Sequence, residues 1–338
     1  MKVRAFITHK KAETFRDCQD RFSVNPDTKS IAVSDGMSQS VFQKIWADML
    51  VKKYTDYFDW VPNRDSIKEL SPEWLQKVDE FIKSEEKKGK NPWRAKNSIA
   101  EHRSAGATIL GIRFNEQKWT CDVLGDSCLI VVEGNKVKKI ISSSDSDTFD
   151  NYPDYYDSDS NKLGKGVLKT ESGELSKTES LLLVSDPFSD FLSRHRDDEE
   201  LIKQIFEIKS HQEFETLVER WRGEGMHNDD STLVIVEYDG KDEFNLEDID
   251  DIVKLIEADS ENEKNELKNK DDKSGKNRDE SGKAITNKNA DNDNVNPLLC
   301  KIRKLLQEKF IDKKLPKKTS QKEKYVNETA DELIKLIP

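Results

Sequence analysis

The segment that decides the fold is Leu181-Leu182-Leu183-Val184-Ser185-Asp186, a continuous apolar run that ends in a carboxylate. The earlier segment Ile31-Ala32-Val33-Ser34 leads in the same way into Asp35-Gly36. Short runs of apolar and β-branched residues bounded by turn residues are typical of buried strands. Both segments therefore predict strands, and each predicted strand is followed at once by an aspartate at the edge of a sheet.

Further aspartates flank other predicted strands. They are Asp20 before Arg21–Val24, Asp126 after Cys121–Gly125, and Asp229 with Asp230 before Ser231–Val236. Taken alone, an aspartate at a strand end is usually a turn residue. Several carboxylates at one mouth of a sheet suit Mg²⁺ or Mn²⁺, which prefer oxygen ligands. Two such ions can lower the pKa of a shared water and clamp a phosphoryl group, so the set predicts a two-metal site.

The other apolar patterns divide into strand-like and helical groups. Further strands are predicted at Val3–Thr8, Gly106–Phe114, Trp119–Leu124, Ser127–Val132, Lys136–Ser142 and Thr232–Val236. Helical spacing occurs at Val41–Leu50, after the start signal Ser71-Pro72, and within residues 188–222, while residues 143–179 resemble a long surface excursion. Strands grouped apart from paired helices indicate an α+β layered domain and not a parallel βαβ fold.

Composition excludes several classes of protein. The chain has 338 residues and a formal net charge of −11, which argues against a nucleic-acid-binding surface made of the whole protein. No apolar run approaches the roughly 20 residues that a membrane span needs, and His9 and Lys10 come too early for a signal-peptide core. The four cysteines form no CxxC pair, so a reducing cytoplasm is predicted.

The chain divides into segments of different composition. We predict a main domain at residues 1–240, a peripheral helix at 241–257, a flexible charged linker at 258–296 and a basic helical tail at 297–338. The linker is rich in Lys, Asp, Glu, Asn and Ser and cannot bury enough apolar surface to offset the entropy of ordering. The tail either folds back on the main domain or binds a partner, and the sequence leaves these alternatives level.

Six short blocks, in order, resemble the metal-dependent protein phosphatases of type 2C. They are Cys18-Gln19-Asp20, Val33-Ser34-Asp35-Gly36-Met37-Ser38, Ser104-Ala105-Gly106-Ala107-Thr108, Leu124-Gly125-Asp126-Ser127, Leu182-Leu183-Val184-Ser185-Asp186 and Asp229-Asp230-Ser231-Thr232. The resemblance covers roughly residues 1–238. A His that precedes the first block, here His9, occurs in a divergent bacterial-type branch, which this chain resembles most.

The resemblance implies a fold, a reaction and a set of roles. The fold would be a four-layer α-β-β-α sandwich with two central antiparallel sheets. The reaction would be hydrolysis of phosphoserine or phosphothreonine by a hydroxide that bridges two Mn²⁺ or Mg²⁺ ions, in a signalling phosphatase paired with a Ser/Thr kinase. The implied metal ligands are Asp20, Asp35, the Gly36 carbonyl, Asp186 and Asp229, with Asp126 at a looser third ion. Arg16 is a candidate for phosphate binding, and His9 for protonating the leaving oxygen.

The chain also departs from the family pattern. Pro187 follows Asp186, and Asp230 stands where Asn is usual. The family's usual Arg precedes the first metal-binding Asp by five residues. Here Phe15 takes that position before Asp20, and Arg16 is one residue closer. His102 is a second candidate proton donor, and His227 could steer Asp229 but is more typical of a turn. Two rival functions stay open: a pseudophosphatase used as a regulatory binding module, and a phosphatase of a small phosphorylated metabolite.

Overall fold

Two sheets form the centre of the computed structural model, which describes residues 1–101, 103–143, 154–162 and 164–261. The strands are β1 Lys2–Thr8, β2 Arg21–Asn25, β3 Ser30–Ser34, β4 Gly106–Ala107, β5 Ile109–Asn115, β6 Lys118–Leu124, β7 Cys128–Glu133, β8 Lys136–Ile141, β9 Tyr156–Asp157, β10 Lys169–Glu174, β11 Glu179–Val184, β12 Ser231–Glu237 and β13 Asn245–Ile249. One six-stranded sheet has the order β13-β1-β12-β11-β7-β8, a five-stranded sheet has the order β10-β6-β5-β3-β2, and β4 pairs with β9. Both larger sheets are antiparallel except at the edge strand β13, which pairs in parallel with β1.

Helices lie beside these sheets. They are α1 Gln43–Asp56, α2 Arg64–Lys87, α3 Trp93–Ala100, α4 Asp186–Arg194, α5 Glu199–Glu207 and α6 His211–Gly223. Residues 252–261 are also helical, and they are called the 252–261 helix below. No helix in the described ranges is long and apolar enough to cross a membrane.

The strands distribute their apolar side chains between three cores. Leu181 and Leu183 of β11 belong to the core between the two sheets, together with Val33 of β3. Leu182 and Val184 belong to a second core against α4, α5 and α6. A third core joins α1 and α2 to the outer face of the five-stranded sheet. Because side chains alternate between the two faces of a strand, each sheet packs against the other sheet on one face and against helices on the other. The layers are therefore helix, sheet, sheet and helix. This confirms the α+β class and is consistent with the predicted sandwich.

The predicted helix start at Ser71-Pro72 is wrong. Helix α2 begins after Asn63, whose side chain accepts hydrogen bonds from the backbone N–H groups of Asp65 and Ser66, and Ser66 in turn accepts from the Asn63 backbone N–H. This reciprocal cap satisfies orphan donors of the first turn. Pro72 lies inside the helix, which continues because its apolar face is buried in the third core. The capping signal at Ser71, eight residues after Asn63, is therefore overridden by the reciprocal cap and by packing.

Three other segments differ from the sequence predictions. The strand predicted at Gly106–Phe114 is divided into β4 and β5 at Thr108, and the excursion at 143–179 contains β10, which pairs with β6. The segment 241–257, predicted as a peripheral helix, contains β13, which pairs in parallel with β1 before the 252–261 helix begins. Residues 258–261, predicted as the start of the flexible linker, are helical because the 252–261 helix continues through them. The predicted tail and the rest of the predicted linker lie outside the described residues.

Candidate metal and phosphate site

Strand register brings the predicted aspartates together. Arg21 of β2 pairs with Ser34 of β3, so Asp20 and Asp35 are neighbours at the end of this hairpin. In the other sheet, Cys128 pairs with Val184, and Val184 pairs with Leu233. The residues that flank these three strands at that end are Asp126, Asp186 and Asp229. The two groups are linked across the sheets by Thr232, whose Oγ1 donates to Asp20 Oδ2 at 2.8 Å.

The carboxylates lie close enough to raise one another's pKa. Burial, followed by the charge of Asp230, raises the pKa of Asp20 to about 7. Burial and the charges of Asp20, Asp186 and Asp126 raise the pKa of Asp35 well above its ordinary value. The pKa of Asp186 is raised well above its ordinary value by burial and by Asp126, and burial raises the pKa of Asp126 to about 6. Carboxylates that oppose one another in this way favour a bound cation or proton.

Two buried carboxylate oxygens support the same conclusion. Asp20 is fully buried, yet its Oδ1 has no hydrogen-bond partner among the described residues. Oδ1 of Asp126 is likewise buried without a partner in that part of the chain. A buried oxygen without a donor is costly, whereas carboxylate oxygens are the ligands that Mg²⁺ and Mn²⁺ prefer. These two oxygens are therefore available as ligands of a hard divalent ion.

The side chains do not form one tight cluster. Within residues 1–101, 103–143, 154–162 and 164–261, no three His, Cys, Asp or Glu side chains are placed to hold a single ion together. Asp229 is the most open of the predicted ligands, with a side chain that is 42% exposed, and its Oδ1 lies 2.8 Å from Lys10 Nζ. Burial lowers the pKa of Lys10, but the bond to Asp229 and the charges of Asp229 and Asp230 outweigh it and raise that pKa. Lys10 is thus the counter-ion of Asp229.

Backbone contacts hold Asp35 and Gly36 in place. The backbone N–H of Asp35 donates to Thr108 Oγ1 at 2.9 Å, and Ser34 Oγ donates to the Thr108 carbonyl at 2.6 Å. A Cβ on Gly36 would lie 2.9 Å from Gln43 Cβ, so this position has no room for a side chain. Thr108 is the positioning residue that sequence reasoning missed, although its block is recognisable as a strand start.

Asp230 has a role that differs from that of its neighbour Asp229. Its Oδ1 accepts from the backbone N–H of Lys10 at 2.9 Å, and its Oδ2 accepts from the backbone N–H of Gln19 at 2.7 Å. Both donors belong to residues 9–20, which connect β1 to β2 and are called the first-motif loop below. Asp230 therefore anchors both ends of this loop, a contact that the usual Asn could reproduce only in part because it has one acceptor oxygen.

The predicted phosphate and proton residues lie in the first-motif loop. The Arg16 guanidinium is exposed and donates to Ser260 Oγ at 3.0 Å. His9 Nδ1 lies 2.7 Å from the Lys10 carbonyl, and its ring meets Phe15 edge to face at 4.7 Å. The ring of His227 lies 3.2 Å from Asp190, and its carbonyl accepts from the backbone N–H of Asp229 at 3.1 Å, as expected of a turn residue. His102 is outside the described residues. Arg16 thus contacts the 252–261 helix in this structure.

One protein family and several solved structures are similar to this chain. A family model described as protein phosphatase 2C matches residues 9–222. No curated protein matches the chain. The chain is similar to the S. agalactiae serine/threonine phosphatase, at 14% identity over 70% of this chain and 99% of that one, with a TM-score of 0.46.

Two further solved structures show a similar degree of likeness. Serine/threonine phosphatase Stp1 from Staphylococcus aureus is 14% identical over 70% of this chain and 95% of that one, with a TM-score of 0.46. The photosystem II phosphatase PBCP is 15% identical over 71% of this chain and 99% of that one, with a TM-score of 0.44. The family model, which spans more than half of the chain, includes Asp20, Asp35, Asp126 and Asp186 and ends before Asp229.

Proposed function

Because this chain belongs to the protein phosphatase 2C family, we propose that it hydrolyses phosphoserine and phosphothreonine in proteins with Mn²⁺ or Mg²⁺ as its cofactor. The observation that carries the proposal is the shared field of Asp20, Asp35, Asp126 and Asp186, in which burial and mutual repulsion raise the pKa of the carboxyls. Carboxyls with strongly perturbed pKa values that converge at one place are typical of functional sites.

The ion-binding residues would divide between two principal positions. Asp20 and Asp35 would be shared by both ions, the Gly36 carbonyl would bind one of them, and Asp186 with Asp229 would bind the other. Asp126 would hold a looser third ion. When bound, such ions supply an activated water as nucleophile and offset the negative charge of the phosphoryl group.

The protein's own groups would orient the site and handle the proton. Thr232 holds one oxygen of Asp20 and leaves Oδ1 available as a ligand. Thr108 fixes the backbone of Asp35. Since His9 Nδ1 lies against the Lys10 carbonyl, Nε2 is the atom that would deliver a proton to the leaving oxygen, a role that suits an imidazole near neutral pH.

The direct test is phosphate release from a phosphothreonine peptide by the full chain with added Mn²⁺. We expect activity that EDTA abolishes. Asp35→Asn should reduce kcat/KM by about a hundredfold or more, because a metal site contributes several kcal/mol of transition-state stabilisation. Asp59→Asn is the matched control, since Asp59 is exposed and distant from these residues in the sequence. Activity that persists in EDTA or in the Asp35→Asn variant would contradict the proposal.

A pseudophosphatase is the second candidate function. It is favoured by the separation of the ligand side chains in the described part of the chain and by the Lys10–Asp229 ion pair. In that case the domain would bind a phosphoprotein or a regulatory partner without hydrolysis. Calorimetric titration with Mn²⁺ separates the two functions, because a phosphatase should bind the ion with an affinity that Asp20→Asn and Asp35→Asn both weaken. Absence of Mn²⁺ binding would favour the pseudophosphatase.

A further inference from the structure

The first-motif loop is held by a segment that follows the region matched by the family model. Asp259 Oδ2 accepts a hydrogen bond from the backbone N–H of Phe15 at 2.8 Å, and Ser260 Oγ accepts from Arg16 Nη2 at 3.0 Å. Both acceptors lie on the 252–261 helix, whereas the family model ends at residue 222. Two consecutive residues of the loop are therefore bound to two consecutive residues of this helix.

The loop needs such support because it has little regular structure. Residues 9–20 contain turns but neither a helix nor a strand. Asp230 holds the two ends of the loop, at Lys10 and Gln19, and Asn228 Oδ1 accepts from the backbone N–H of Lys11 at 2.8 Å. These bonds leave the centre of the loop to be fixed by other groups. Asp259 and Ser260 bind it at Phe15 and Arg16, and Lys44 Nζ also donates to the Arg16 carbonyl at 2.6 Å.

Phe15 transmits the position of the helix to the site. Its side chain is buried, and its ring lies 4.7 Å from the ring of His9 and 5.5 Å from that of His211. A buried aromatic ring that contacts two others can move only if its neighbours also move. Displacement of the Phe15 backbone would therefore change the position of His9 and of the loop that leads to Asp20.

The 252–261 helix is itself fixed to the body of the protein. Strand β13 pairs in parallel with β1 immediately before it. Asp250, which follows β13, accepts from the backbone N–H of Ile7 at 2.9 Å through Oδ2 and donates its own N–H to the Ala5 carbonyl at 2.9 Å. The same oxygen lies 2.8 Å from His211 Nδ1. The segment thus has a rigid base on β1 and contacts the loop at its other end.

We propose that Asp259 and Ser260 are positioning residues, which hold the first-motif loop so that His9, Lys10 and Asp20 keep the arrangement the reaction requires. This also assigns Arg16 to docking the 252–261 helix, and not to binding phosphate. The catalytic consequence rests on the proposed function, whereas the effect on the loop does not. The test therefore measures loop order and ion binding as well as activity.

The experiment uses the full chain with Asp259→Ala and Ser260→Ala. Glu257→Ala is the control, because Glu257 is exposed on the same helix. Hydrogen exchange followed by mass spectrometry should show the peptide that contains Phe15 exchanging about tenfold faster or more in Asp259→Ala, since the part-buried bond from the Phe15 N–H to a carboxylate is lost. Asp259→Asn should restore slow exchange, because its amide oxygen can still accept. Glu257→Ala should leave the rate unchanged.

Function is then measured on the same variants. We expect Asp259→Ala to weaken Mn²⁺ binding, measured by calorimetry, and to lower kcat on a phosphothreonine peptide more than it raises KM. Unchanged exchange of the Phe15 peptide would overturn the contact, and faster exchange with unchanged Mn²⁺ affinity and kcat would overturn the positioning role. A wild-type chain without Mn²⁺-dependent hydrolysis would refute the proposed function alone, because exchange and Mn²⁺ binding would still decide this inference.

Discussion

Neutralising Asp20 should stabilise the metal-free protein while removing its response to Mn²⁺. Asp20 is fully buried, and burial together with the charge of Asp230 raises its pKa from 3.8 to about 7. A carboxyl whose pKa is raised on folding destabilises the folded state as pH rises from the unfolded pKa to the folded pKa, and the full penalty remains at higher pH. That difference in pKa corresponds to at most about 4 kcal/mol. Relaxation of the neighbouring carboxylates reduces the expected gain for Asp20→Asn to about 2 kcal/mol at pH 8.

Denaturant unfolding in EDTA at pH 8 and pH 5 measures this gain. Asp20→Asn should be more stable than wild type at pH 8, and the difference should shrink at pH 5 because part of the penalty is then relieved by protonation. The amide oxygen of Asn can still accept from Thr232, so the bond between the sheets is retained. Excess Mn²⁺ should stabilise wild type, since it binds only the folded state, and should stabilise the variant much less.

The control and the refuting result follow from the same reasoning. Asp59→Asn removes an exposed carboxylate and should alter stability little at either pH. The difference in the free energy of unfolding between each variant and wild type cancels the pH dependence of the other titrating groups. If Asp20→Asn proves less stable than wild type in EDTA at pH 8, burial and mutual repulsion do not control the energetics of this carboxyl. The raised pKa values then no longer indicate a cation site.

Two further predictions concern groups outside the acidic set. Burial lowers the pKa of His211, but hydrogen bonds to Asp250 and Glu215 outweigh burial and raise that pKa to about 9. The positive charge of His211 therefore stabilises the fold fully below the unfolded pKa, and this stabilisation is lost as pH rises through about 9. Wild type should therefore lose about 1 kcal/mol relative to His211→Gln between pH 6 and 10, and an NMR titration that places the pKa at or below 6.5 would contradict this. Gly111→Ala should destabilise the fold by about 3 kcal/mol, because the added Cβ would lie 2.3 Å from the ring of Tyr54. Gly223→Ala is the control, since its added Cβ would meet no atom of the described residues within 4 Å. Equal unfolding midpoints for the two variants would contradict this prediction.

Strands were predictable from the sequence because their signal is local. The apolar run of β11 and the β-branched run of β3 were located within two residues of their observed bounds. The start of α2 was not located correctly, because the reciprocal cap of Asn63 with Ser66 competes with the equally plausible Ser71-Pro72 signal. Choosing between two local signals requires knowing which helix face is buried, and that depends on tertiary packing.

The site was predictable as a set of residues but not as a network. Aspartates that follow strands can be read from the sequence, and the pairing of β2 with β3 then places Asp20 beside Asp35. The contact of Asp259 with Phe15 joins residues that are 244 positions apart. No periodicity or turn signal connects residues so distant, and the sequence places Asp259 and Ser260 at the start of the predicted flexible linker at 258–296. Long-range hydrogen bonds of this kind become visible only when the sheet register is known.

The adjacent residues Asp229 and Asp230 show how one carboxylate pair serves two different needs. Asp230 is buried and accepts from the backbone N–H groups of Lys10 and Gln19, so it contributes to folding even where no cation is bound. Asp229 is partly exposed, and its charge is paired with that of Lys10 Nζ. A ligand that is paired with a lysine can exchange that partner for a divalent ion without leaving a buried charge uncompensated. The deeply buried Asp20 accepts a hydrogen bond from Thr232, whose hydroxyl is neutral and does not compensate the carboxylate charge. The free-energy cost of burying that charge on folding is the cost that ion binding would remove.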